Sequence, residues 1–145
     1  MLLQEHCYFE QDIKLLENVL GDVQVYGVSR MYDNEFRSVR PFSGCDILLR
    51  NSLKCNFTIF YINNRCCGGV MKINNVSILL FNGYMPCDTS CDCDNCDIFQ
   101  NIVNDICYKY EHIDYVIIGG DLNTDLRRVT SLHTQTLNVL YNMKN

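Results

Sequence analysis

The apolar positions of this chain follow two rhythms. In "FEQDIKLLENVL", Phe9, Ile13, Leu16 and Leu20 recur at helical spacing and Gly21 follows as a stop, which predicts an amphipathic helix over 9–20. "VQVYGVS", "CDILLR", "FTIFYI", "GGVMKI" and "VSILLFNGY" predict strands. Asn74-Asn75 between the last two suits a hairpin, because asparagine tolerates positive φ. This middle portion therefore reads as β-rich and mostly antiparallel. "DIFQNIVNDICYKY" lines up Ile98, Ile102, Ile106 and Tyr110, with Val103 and Cys107 beside them and Asp94 or Asn95 as a cap. It is the strongest helix signal and is expected to cover a sheet. "YVIIGG" is a short, unbroken apolar run of the kind buried on both faces, and "SLHTQTLNVLYN" predicts a last helix capped near Ser131.

Composition narrows the class. With 145 residues, 48% of them hydrophobic, and two prolines, the chain is expected to form one domain, 1–145, with a real core. No internal repeat, linker or low-complexity segment divides it. No segment has the roughly 18 uninterrupted apolar residues of a membrane helix. "MLLQEHCYFE" has no basic region before an apolar one, so it does not read as a secretory signal and an intracellular location is expected. The net charge of −5 weighs against a surface that grips nucleic acid everywhere, but leaves room for a local basic patch.

Ten cysteines would suit a disulfide framework in a small secreted, loop-rich fold, and neither feature is expected from this sequence. Most are read as reduced thiols, and Cys45 and Cys107 sit in apolar runs where cysteine acts as a small hydrophobe. "CDTSCDCDNC" differs: Cys87, Cys91, Cys93 and Cys96 fall within one short acidic stretch. Four thiolates could hold zinc, but the C-x3-C-x-C-x2-C spacing is not that of paired knuckles. An acidic connection leading into a helix is the favoured reading.

Polar residues stand where several apolar runs end. Glu5 closes "MLLQE", Tyr84 closes "VSILLFNGY", and "YVIIGGDLNTD" ends in Asp121 and Asn123. In α/β sheets, ligands bind at the carboxyl ends of strands, so three strand ends could give one pocket a carboxylate, a phenol and an Asp-x-Asn pair. That set suits metal-assisted hydrolysis of a phosphate ester. Glu5 would hold a hard cation such as Mg²⁺, and Asp121 would take a proton from the attacking water. Asn123 would orient Asp121 or the phosphate, and the Tyr84 hydroxyl would donate to the phosphoryl oxygens. Solvated turn residues at Glu5 and "GGDLNTD", and plain packing of Tyr84, are the bland alternative.

"LLQEH", "NGYMPCD" and "IIGGDLNTDL", in this order, resemble the endonuclease/exonuclease/phosphatase superfamily. "GCDILLR" with "GGVMKINNVSILLFNGYMP" is most similar to the apurinic-like endonuclease domain of non-LTR retrotransposon reverse transcriptase proteins. The similarity covers nearly the whole chain. It implies a DNase I-like four-layered α/β sandwich, two packed mixed or antiparallel β-sheets with helices outside. The implied activity is Mg²⁺-dependent cleavage of a DNA phosphodiester bond, with Mn²⁺ as the alternative metal.

Carried over residue by residue, the resemblance makes Glu5 the metal ligand, Tyr84 the active-site tyrosine, Asp121 the catalytic base and Asn123 its partner. Thr124 and Asn82 would touch substrate, and His6 would shape the pocket. His112 and His133 have no motif behind them and are read as surface residues. The implied partner is DNA and the implied location nuclear, with the chain a monomer or part of a longer polyprotein. Family members also carry an asparagine before the Q-E motif and an S-D-H motif near their end. Neither is found here, so the domain is expected to be incomplete at both termini, with an exposed sheet edge, and inactive or feeble alone. A phosphatase of the same superfamily and a non-enzymatic DNA-binding remnant are the other readings.

Overall fold

The Asn74-Asn75 hairpin forms: β5 (Cys66–Ile73) and β6 (Val76–Tyr84) pair antiparallel around it, with Asn74 at φ 54°. The structure is a computed structural model and describes residues 1–29, 44–63, 65–87, 93–109, 112–128 and 130–142. β4 (Asn56–Asn63) pairs antiparallel with β5, and β7 (Tyr115–Asp121) runs parallel to β6, giving the order β4-β5-β6-β7. A second sheet has the order β1-β3-β2 and is antiparallel throughout, built from β1 (Leu2–Gln4), β2 (Val23–Val28) and β3 (Cys45–Arg50).

Period-two alternation decides what each strand face meets. On β3, Cys45, Ile47 and Leu49 point between the sheets and pack with Cys67, Met71 and Leu80 of the other sheet. The opposite face carries Leu48, which packs with Val25 and with Ile13 and Leu16 beside the short helix α1 (Leu15–Leu20). On β6, Leu79 and Phe81 face outward against Phe99, Ile102, Val103 and Ile106 of α2 (Cys93–Lys109). The third helix, α3 (Leu132–Asn142), adds Leu137 to that cluster. The layers are therefore helix, sheet, sheet, helices: a four-layered α/β sandwich. Burying a side chain the size of Phe99 or Ile106 contributes about 2–3 kcal/mol, so the three apolar seams are the main source of cohesion.

Four sequence expectations are corrected. The first helix is divided into a 3₁₀ turn, Glu10–Asp12, and α1. Glu17 Oε1 accepts from Lys14 Nζ and from the Val25 N–H, both at 2.8 Å, so this segment is tied to β2 as well as to its own axis. In α2 the buried stripe is centred on Phe99, and Ile98 is 41% exposed; Tyr110 lies outside the described residues. β7 is not buried on both faces: Val116 and Ile118 pack inward on α2, while Tyr115 and Ile117 are exposed. Among the described residues β7 is an edge strand with β6 as its neighbour, so it has one covered face and one open one. His133 is buried and stacks on Phe99 at 3.9 Å, because the first turn of α3 packs on α2.

Ser131 caps α3 as expected, its hydroxyl accepting from the Thr134 N–H at 3.3 Å. Cys7, Cys45, Cys55, Cys66, Cys67, Cys87 and Cys107 are free thiols, consistent with a reduced chain. The zinc alternative rests on Cys91 and on the side chains of Cys93 and Cys96, which lie outside the described residues; Cys87 is exposed. Among the described residues no helix is long and apolar enough to cross a membrane.

Candidate active site

β1, β6 and β7 end together at one mouth of the sandwich, and Gln4 joins them. Its Nε2 donates to Asn82 Oδ1 and to the Gly83 carbonyl, each at 2.8 Å, and its Oε1 accepts from the Asp121 N–H at 2.9 Å. The glycines of "IIGGD" make that approach possible. A Cβ on Gly119 would stand 2.1 Å from Leu2 Cδ1, and one on Gly120, at φ 128°, would stand 2.0 Å from the Gly83 carbonyl oxygen. Gly120 is the stricter of the two, since its neighbour is backbone and its φ is positive, whereas the Leu2 side chain facing Gly119 can turn aside.

The register places Tyr84 beside Asp121. Asp121 Oδ1 accepts from the Asn123 N–H at 2.9 Å, with Asn123 at φ 48°, a left-handed geometry that asparagine adopts readily. The Asp121 carbonyl accepts from the Met85 N–H, and Asn123 Nδ2 donates to the Met85 carbonyl at 2.8 Å. Asn123 thus orients the aspartate through its backbone, and its amide group holds the segment after β6. Glu5 directly follows Gln4, is exposed, and has its own N–H bonded to the Gly44 carbonyl at 2.8 Å. Its backbone is left-handed, at φ 46°.

Two substrate-contact candidates face elsewhere. Asn82 is 0% exposed; its Nδ2 donates to the carbonyls of Leu3, at 2.7 Å, and Asp46, at 2.8 Å. A side chain so engaged fastens β6 to the other sheet and is closed to a ligand. Thr124 turns its hydroxyl toward α3, where it lies 3.4 Å from Thr134 Oγ1.

Sequence reading missed Gln4 as the hub, although the Q-E pair signalled it, and it missed Arg65. The Arg65 guanidinium lies 5.7 Å from the centre of the Tyr84 ring, and its carbonyl accepts from the Tyr84 N–H at 2.9 Å. A cation at this mouth stands out in a chain of net charge −5. Behind the mouth, burial pushes the Cys45 and Cys66 thiols up to about 12 from 9.0, and the charges of Asp46 and Glu5 add to the effect at Cys45. These thiols are inert packing groups.

The titratable oxygen donors on the segments that end here are Glu5, which follows β1, and Asp121, which closes β7. Among the described residues no three His, Cys, Asp or Glu side chains gather into a metal cage. One or two carboxylates fit Mg²⁺ or Mn²⁺, which keep their other positions for water and phosphate, and do not fit a structural zinc. A groove of about 360 Å³ between β7 and α3, lined by Val116, Ile118, Leu122, Leu126 and Leu137, is apolar and lies on the other face of β7 from Asp121.

No protein-family model and no curated protein matches the chain. Solved structures do. The 3′ phosphatase NExo from Neisseria, bound to a product DNA hairpin, matches with a TM-score of 0.60 at 12% identity, over 97% of this chain and 59% of that one. The human Nocturnin catalytic domain matches at 0.59 and 12% identity, over 92% and 53%. A humanised D. rerio TDP2 matches at 0.55 and 15% identity, over 90% and 52%. The chain thus spans between half and three-fifths of the length of the structures it matches. Likeness at this identity is likeness of fold: the chain carries the α/β sandwich found in these three proteins.

Proposed function

We propose that this chain belongs to the endonuclease/exonuclease/phosphatase superfamily and bears a divalent-metal-dependent site for hydrolysing DNA phosphodiesters, of the retrotransposon endonuclease type. The observation that carries the reading is the convergence at Gln4: its side chain bonds the end of β6 and the Asp121 N–H, while its neighbour is Glu5. NExo, whose fold is similar, is a phosphatase seen with product DNA, which favours DNA as the ligand class.

Glu5 is the residue that would hold Mg²⁺ or Mn²⁺. When bound, the cation supplies Lewis-acid polarisation of the phosphoryl group. Asp121, fixed by the Asn123 N–H, accepts the proton of the attacking water. Tyr84 donates its hydroxyl to a phosphoryl oxygen, and Arg65 beside it balances phosphate charge. The chain spans about half the length of its structural neighbours. Each charge-stabilising group removed from such a site costs about 10²- to 10³-fold in rate.

The test is nicking of supercoiled plasmid and of abasic-site duplex with Mg²⁺ or Mn²⁺, alongside a soluble phosphomonoester. Slow nicking abolished by Asp121→Ala supports the reading. Phosphomonoester hydrolysis without nicking would make it a phosphatase of the same superfamily. DNA binding indifferent to both chelation and Asp121→Ala would make it a non-enzymatic remnant.

A further inference from the structure

The turn that carries Glu5 rests on a buried pair that hydrolysis does not use. Asp46, paired across the sheet with Leu3 on one side and Gly27 on the other, is 0% exposed. Its Oδ1 lies 3.2 Å from Nε2 of His6, whose side chain is 1% exposed. The contact is close but not aligned as a hydrogen bond, and among the described residues neither Asp46 oxygen has an aligned partner. A buried carboxylate in this condition costs stability, and whole buried pairs replaced by apolar side chains of similar volume often leave stability unchanged or raised. Stability does not account for Asp46.

The space for the pair is made by two glycines. A Cβ on Gly27 would fall 1.6 Å from Asp46 Oδ1, and one on Gly44 would fall 2.3 Å from the His6 ring. His6 stands between two left-handed residues, Glu5 at φ 46° and Cys7 at φ 58°. Residues with side chains stay in that region when their surroundings impose it, and such strain gathers at functional sites. Here the Tyr8 N–H donates to His6 Nδ1 at 3.0 Å, and Cys7 Sγ donates to the Glu5 carbonyl at 3.1 Å. Nδ1 is taken by that hydrogen bond, which leaves Nε2 as the ring nitrogen beside the Asp46 carboxylate.

We propose that Asp46 is a positioning residue: through His6 it holds the strained turn that presents Glu5, so that a divalent cation meets its ligand already in place. The proposal rests on the reading of Glu5 as the metal ligand. Outer groups that orient a metal ligand typically change metal affinity by about 10- to 100-fold when removed.

The test is Mn²⁺ binding by the 145-residue chain, followed by electron paramagnetic resonance without DNA, with thermal melting of the same samples. Asp46→Ala is expected to keep a cooperative melt and to bind Mn²⁺ about tenfold more weakly. Asp46→Asn, which keeps an oxygen facing Nε2, is expected to bind within about threefold of wild type. A merely structural Asp46 would give the opposite result, a lower melting temperature with unchanged affinity. Asp46→Ala that fails to fold, or that binds as tightly as wild type while Glu5→Gln does not, overturns the positioning role and leaves Glu5 as the ligand. Glu5→Gln that binds like wild type, or a wild-type chain that takes up no Mn²⁺, removes the ligand reading and this proposal together.

Discussion

Gln4 and Asp121 are 117 residues apart in sequence and are joined by a 2.9 Å hydrogen bond from the Asp121 backbone N–H to Gln4 Oε1. The same amide group donates to Asn82 Oδ1 and to the Gly83 carbonyl, so a single side chain sets the spacing of three strand ends. Gln4→Leu keeps the size and removes all three bonds. At about 1 kcal/mol each, the expected loss is about 3 kcal/mol, or roughly 10 °C in melting temperature. Urea and thermal unfolding check it.

Asn82 is expected to behave as a structural clamp. Asn82→Ala withdraws the donors to the Leu3 and Asp46 carbonyls inside the molecule, with an expected cost of about 2–4 kcal/mol. DNA affinity measured below the melting transition stays at the wild-type value. A tenfold fall in affinity with an intact melt would return Asn82 to the substrate site.

Arg65 is expected to contribute one phosphate contact. Arg65→Gln should leave the melting temperature within about 1 °C and reduce the slope of log K against log salt by about 1 for duplex DNA, at every sequence tested. An unchanged slope excludes the contact.

Glu5 is exposed, so Glu5→Gln is expected to leave the fold intact while lowering Mn²⁺ affinity at least tenfold. Isothermal titration with Mn²⁺, and a melt with and without the metal, separate the two effects. Loss of the metal-induced rise in melting temperature is the expected signature.

The buried thiols make an alkaline prediction. Burial holds Cys45 and Cys66 protonated up to about 12, whereas unfolded thiols ionise near 9.0. The folded pKa values are raised, so the unfolded state loses protons first as pH climbs. Stability is full below about pH 9 and falls between about 9 and 12, by about 1.4 kcal/mol per pH unit per thiol at most. Urea unfolding across this range measures the slope, and Cys45→Ala should remove one thiol's share. At pH 8 both thiols should resist iodoacetamide until the chain unfolds.

Much of the fold was legible because strand and helix periodicity report directly on which face of an element is buried. The Asn74-Asn75 turn, the β-rich centre and the Ser131 cap were read from local chemistry and are present. β7 misled for a physical reason. Five apolar or small residues after Tyr115 look the same in a fully covered strand and in an edge strand, and the number of neighbours is not a local property. His133 was misjudged similarly: its polar label says nothing of α3 packing that turn against Phe99.

By itself the sequence determined the elements, their order, and the presence of Glu5, Tyr84, Asp121 and Asn123 at strand ends, since these follow from side-chain period and turn chemistry within a few residues. Tertiary structure alone decided that Gln4 is the hub, that Asn82 is a clamp, that Arg65 stands over Tyr84, and that His6 meets Asp46 under the Glu5 turn. Each of those relations joins residues distant along the chain, and only the stacking of the two sheets brings them within reach of one another.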